Sequence, residues 1–207
     1  MKKYRKRIAD EILKRKLEGK GAVLIEGPKW CGKTTTAEQL ASSILYMDDP
    51  EKKEQNIAMS ELNPKRLLKG ATPRLIDEWQ IAPNIWDAVR VSVDKRNEDG
   101  LYILTGSNSI DKSNIMHTGT GRIDTLPMYP MSLYESKESN GQISLIDLFH
   151  HPNALQDGCE SNLSIDELIF AACRGGWPSS VLKKNDKSKL LVARSYFEGL
   201  CREDMSN

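Results

Sequence analysis

Residues 27–34 read Gly27-Pro28-Lys29-Trp30-Cys31-Gly32-Lys33-Thr34, a full match to the spacing G-x-x-x-x-G-K-[ST]. Each fixed position has a physical task on a polyphosphate. Gly27 and Gly32 let the main chain curl, so that successive N–H groups converge on phosphate oxygens. Lys33 supplies a mobile cation for the β- and γ-phosphates, and Thr34 a hydroxyl that can ligate Mg²⁺. Pro28, Lys29, Trp30, Cys31 and Thr35 complete the stretch whose main chain would face the phosphates. The helix expected after the loop adds the positive end of its dipole.

Asp77-Glu78 closes a short apolar run, Leu75-Ile76. In a Mg²⁺-dependent hydrolase the first carboxylate holds the metal and the second polarises the attacking water. An acidic pair at a strand end is also a common solvated turn, so its weight comes from the phosphate loop upstream. Leu104-Thr105-Gly106-Ser107-Asn108 places small polar side chains where a γ-phosphate sensor is needed, and Thr105, Ser107 and Asn108 are all candidates. Arg122 follows a Gly/Ser/Thr-rich stretch (106–121) and is a candidate arginine finger, acting on its own site or a neighbour's. Arg174, in Arg174-Gly175-Gly176-Trp177-Pro178, is a similar candidate. No Asn-Lys-x-Asp stretch is present, which favours adenine over guanine.

These residues must be carried by elements in a fixed order. Gly21 to Glu26 reads as a buried strand ahead of the loop, and Ala37, Leu40 and Ala41 share a helical face after it. Short strands are predicted at 44–47, 74–77, 101–105 and 123–126, with helices at 5–18, 51–60, 64–68 and 84–97 between them. Ile8, Ile12, Leu13 and Leu17 are expected on the buried side of the first helix. Strands separated by helices imply parallel βαβ units, hence an α/β three-layer P-loop sheet, with ligands beyond the C-terminal strand ends. Residues 1–127 form the predicted core. Residues 128–207 read as a helical, lid-like region.

Together, Tyr4-Arg5-Lys6-Arg7, Glu26 to Thr34, Leu75-Ile76-Asp77-Glu78-Trp79-Gln80, Ile103 to Ser107 and Gly121-Arg122 resemble the AAA-type prokaryotic ATPases that carry a C-terminal domain of unknown function 4143. The resemblance implies an AAA+-like core related to STAND ATPases, with ATP and Mg²⁺ as ligands. It gives Lys33, Thr34, Asp77 and Glu78 the roles argued above and strengthens Arg122 as a finger. Gly175-Gly176-Trp177-Pro178 is similar to the Gly-x-Pro element of the family's helical lid. The resemblance also implies a further domain, often described as nuclease-like, that these 207 residues do not contain; no nuclease activity is expected of them.

Composition narrows the alternatives. Thirty basic and 29 acidic residues leave a formal charge of +1, so no global field commits the chain to nucleic acid or membrane. No apolar run approaches the roughly 20 residues that span a bilayer. Four scattered cysteines without a C-x-x-C pair suit a reducing cytoplasm, the expected location. Lys2, Lys3, Arg5, Lys6 and Arg7 could touch DNA, or Arg7 could border an adenine pocket; a solvated helix face is the simpler reading. Cys31 is either an activated thiol or a small side chain that fits, the latter favoured. His150-His151 lacks metal-ligand spacing, and Trp79 and Trp86 read as packing groups. The expected activity is Mg²⁺-dependent ATP hydrolysis serving as a conformational switch, coupled to a protein partner, a homo-oligomer or a further domain. The alternatives are a nucleotide-gated DNA- or protein-binding module with little turnover and a small-molecule phosphotransferase.

Overall fold

In the computed structural model the chain is described over residues 4–107, 119–152 and 159–204. It divides into two compact units, Lys6–Tyr129 and Met1–Arg5 with Pro130–Asn207. Lys2, Lys3 and the sensor candidate Asn108 lie outside the described residues.

The unit Lys6–Tyr129 is built on β1 (Ala22–Gly27), β2 (Ser43–Tyr46), β3 (Arg74–Asp77), β4 (Tyr102–Ser107) and β5 (Ile123–Pro127). The strands lie in the order β2-β3-β4-β1-β5 and every pairing is parallel. Parallel neighbours cannot be joined by a tight turn, and helices fill the space between strands. These are α1 (Ile8–Leu17), α2 (Lys33–Glu38), α3 (Lys53–Leu62), α4 (Pro64–Leu67) and α5 (Asn84–Arg96).

Alternation along the strands divides the apolar core in two. Ala22, Leu24, Ile76, Tyr102 and Leu104 pack on one face with Ile85, Trp86, Val89 and Val93 of α5. Val23, Ile25, Leu75, Ile103 and Leu126 pack on the other with Leu13 and Leu17 of α1 and Ala37 of α2. The result is the predicted three-layer α/β sheet.

One helix face differs from expectation. Ala9, Leu13 and Leu17, spaced i, i+4, i+8, are the buried stripe of α1, while Ile8 and Ile12 are exposed at its flank. Weighting by side-chain size alone overlooks Ala9, which sets the line along which the helix approaches the sheet.

The second unit contains α6 (Leu145–His150), α7 (Ile165–Arg174), α8 (Pro178–Val181) and α9 (Asp186–Asp204), with no strand among its described residues. A reciprocal cap starts α7. The Ser164 N–H donates to Glu167 Oε2 (2.8 Å) and the Glu167 N–H to Ser164 Oγ (3.3 Å). Arg174 ends the helix almost wholly buried, ion-paired with Glu138 and donating to the Gly175 carbonyl. It is a core residue of this unit rather than an available finger. Gly176 is required by close approach: a β-carbon there would sit 2.2 Å from the Met131 carbonyl oxygen. His150 and His151 close α6 in solvent, and no group of three or more His, Cys, Asp or Glu able to hold a metal ion occurs among the described residues.

Candidate nucleotide site

Strand order explains how distant residues meet. β4 lies between β1, which delivers the phosphate loop, and β3, which delivers Asp77-Glu78. Register places Ser107 opposite Gly27, at the same strand ends.

The loop curls as its glycine spacing requires. Gly32 has φ 102° and Trp30 φ 65°, so left-handed residues alternate through the turn before α2 begins. Gly27 is held against the chain beyond β5, where a β-carbon would lie 2.1 Å from the Met128 carbonyl oxygen. Lys33 is buried, and its ammonium donates to the Gly27 and Pro28 carbonyls at 3.0 and 3.1 Å. The cation is therefore held at the loop itself. Lys29, Trp30 and Thr35 are exposed around it, and Pro28 is half-buried.

Cys31 turns inward. It is fully buried, its thiol donates to the Met128 carbonyl (3.6 Å), and burial pushes its pKa up, against the opposing pull of Lys33 and Arg7. This favours the small-side-chain reading over an activated thiol.

Arg7 also departs from the adenine-pocket reading. Only 5% exposed, its guanidinium donates to the Cys31 carbonyl (2.9 Å) and the Tyr129 carbonyl (2.8 Å). It fastens the loop to the chain that leaves β5. The other described residues of the basic run also have partners: Arg5 holds the Ser136 carbonyl and Lys6 the Glu11 carboxylate. Each described cation of the run is thus engaged by an acceptor of this chain.

Across β4, one carboxylate oxygen gathers two hydroxyls. Thr34 and Thr105 both donate to Asp77 Oδ1, at 2.7 and 2.5 Å. Thr105 also accepts the Glu78 N–H at 3.1 Å. With no exposed surface, Thr105 sits beneath the acidic pair and organises it. Oδ2 of Asp77 takes no hydrogen bond among the described residues, which leaves it and Thr34 as oxygen donors of the type Mg²⁺ prefers.

Burial pushes the Asp77 carboxyl above the usual range. The Thr105 and Thr34 hydroxyls pull it back, while the nearby Asp48 and Glu38 carboxylates add to the rise. The folded chain therefore holds this proton more tightly than the unfolded chain. The associated stability is present below the ordinary aspartate range and is lost as pH rises through the raised value. Asp77→Asn keeps an acceptor for both hydroxyls and cannot titrate. Without nucleotide it should melt at a higher temperature than the parent at pH 8, with the gap closing towards pH 3 in thermal denaturation.

Glu78 adopts a left-handed conformation, φ 54° and ψ 47°, unusual for a residue with a β-carbon. A single 3₁₀ turn, Trp79–Ile81, follows at once. Trp79 is buried against Trp86, with ring centroids 4.9 Å apart, as expected of packing groups. Gln80 returns over the acidic residue, and its amide donates to Glu78 Oε2. Sequence reasoning assigned Gln80 no role. The signals were its place two residues beyond the acidic pair and its inclusion in the run Leu75 to Gln80 that carries the family resemblance.

Arg122 is not brought to this site. It precedes β5, its carbonyl accepts the Ala22 N–H (3.1 Å), and its guanidinium pairs with Asp94 (2.7 Å). It thus lies at the N-terminal end of the sheet. The five residues of β5, at about 3.3 Å each, separate it from the loop end. The reading in which Arg122 serves its own site is overturned by strand direction.

A parallel sheet with a curled glycine loop on one strand end and a buried Asp joined to that loop by Thr34 defines a P-loop nucleotide-binding core. The comparisons place it more closely: residues 19–137 match the family described as AAA domain, and the chain belongs to that family. A search of curated proteins found no match. Among solved structures, the chain is similar to that of C. elegans PCH-2, at 13% identity and a TM-score of 0.42. The similarity covers 86% of this chain and 62% of that one, so the chain spans less than two thirds of its length.

Proposed function

We propose that the chain binds ATP with Mg²⁺ and hydrolyses it, the cycle serving as a conformational switch for a protein partner, a neighbouring copy or a further domain. The observation that carries this reading is the Thr34–Asp77 hydrogen bond of 2.7 Å, which joins the phosphate loop to the acidic strand end. A phosphate loop that bound only a structural anion would not need a buried carboxylate beside it.

Lys33 and the loop N–H groups bind the β- and γ-phosphates. Thr34 and Asp77 would hold Mg²⁺, which when bound neutralises charge on the phosphate oxygens. Glu78 accepts a proton from water as its oxygen attacks the γ-phosphorus in line. The bond from phosphorus to the bridging oxygen breaks, and ADP and phosphate leave. Ser107, beside Gly27 in register, is better placed as γ-phosphate sensor than the buried Thr105. Arg122 would act as a finger only on the site of a neighbouring copy. The absence of the guanine-reading stretch favours ATP.

Purified protein should release phosphate from ATP with Mg²⁺, stop when EDTA is added, and prefer ATP to GTP in competition. No binding of ATP at millimolar concentration with Mg²⁺ would overturn the reading.

A further inference from the structure

We propose that Gln80 is a positioning residue for Glu78: its amide holds one carboxylate oxygen and leaves the other to act on water. The inference rests on Glu78 being the general base. It starts from a hydrogen-bond arrangement that a purely structural glutamine does not explain.

The side chain of Gln80 makes one hydrogen bond among the described residues, from Nε2 to Glu78 Oε2. Its other end, Oε1, is buried with no partner there, as is the neighbouring Trp79 Nε1. A buried glutamine kept for stability has both ends of its amide satisfied. Here the chain retains a polar side chain whose sole described hydrogen bond is to the carboxylate, so an apolar residue of similar size would leave fewer polar atoms stranded.

The backbone is arranged to make that contact. The left-handed Glu78 reverses the chain as it leaves β3, and the 3₁₀ turn is closed by the Ile81 N–H on the Glu78 carbonyl (3.1 Å). Trp79, packed in the core, fixes the turn from below. The Glu78 N–H is anchored separately on Thr105 Oγ1. Backbone and side chain of Glu78 are thus each held by a different group, the first by β4 and the second by Gln80.

A free glutamate side chain samples several rotamers, of which few face a water beside the γ-phosphate. Oε2 held by an amide donor leaves Oε1 with a restricted set of directions. The pattern is that of a base oriented by a third group. It needs no contact between Gln80 and nucleotide.

The test compares Gln80→Ala, the near-isosteric Gln80→Glu, Glu78→Gln and the double variant Glu78→Gln/Gln80→Ala. ATP affinity is read with a fluorescent analogue, and kcat and KM from phosphate release. Gln80→Ala and Gln80→Glu should each lower kcat by roughly tenfold or more, a part of the full effect of a general base, with ATP affinity kept. The double variant should be no slower than Glu78→Gln alone, because Gln80 acts only through Glu78. Unchanged or raised kcat in Gln80→Ala, or an additive loss in the double variant, overturns the proposal. So does loss of ATP binding in both Gln80 variants, which would mark a structural role. If Glu78→Gln itself turns over normally, the general-base reading fails, and this result stands apart from failure at Gln80.

Discussion

Glu78→Gln is expected to bind Mg²⁺-ATP and leave it intact, while Lys33→Ala loses both binding and turnover. The two substitutions remove different things. An amide at position 78 keeps the size and the backbone anchor on Thr105 but cannot take a proton from water, a loss of about 10²-fold or more in kcat. Lys33 is a buried cation held by the Gly27 and Pro28 carbonyls, and its removal takes away the charge that meets the phosphates. Losing one such donor costs about 10²–10³ in rate. Equilibrium binding and single-turnover phosphate release on the same preparations separate the two outcomes. Normal hydrolysis by Glu78→Gln would remove Glu78 from the mechanism and leave the phosphate loop standing.

Arg7→Ala should strongly destabilise the unit that carries the phosphate loop. The guanidinium is charged, 5% exposed and held by two main-chain carbonyls, those of Cys31 and Tyr129. Truncation leaves both acceptors without their donor and opens a space beneath the phosphate loop. Hydrogen bonds to charged groups are worth about 1.5–3 kcal/mol each, so a loss on the order of 3 kcal/mol is expected. Arg7→Lys should recover little, because a single ammonium does not reproduce a planar fork that reaches two carbonyls. Urea unfolding measures the first effect. A parallel ATP titration should show weaker binding, since the Cys31 carbonyl belongs to the loop. A melting curve for Arg7→Ala superimposable on the parent's would show that the two contacts carry no stability.

What was readable in the sequence had a local physical cause. The phosphate loop is a matter of glycine spacing, and strands such as Leu101 to Thr105 declare themselves by apolar, β-favouring side chains. The Thr34–Asp77 contact was within reach because ligand sites form at the C-terminal ends of parallel strands. The same rule contained the answer for Arg122: a residue that precedes its strand emerges at the other end of the sheet. Arg7 was hidden for a different reason. Lys6 and Arg7 are adjacent cations of the same charge, yet one is exposed and the other buried, and only the helix rotation set by Ala9 and Leu13 decides which. Gln80 was hidden because its direction depends on the positive φ of Glu78, a conformation no sequence pattern for glutamate announces.

The position of β1 has a consequence for how the chain is made. Ala22 pairs with Tyr102 on one side and Ile123 on the other, whereas β2 and β3 can pair with one another much sooner. As the chain emerges from the ribosome, the segment bearing the phosphate loop must wait, unpaired, until Tyr102 has followed. Such distant pairings close slowly. The apolar run Ala22-Val23-Leu24-Ile25 is exposed to other chains during that interval, as unpaired strands are in partly folded proteins.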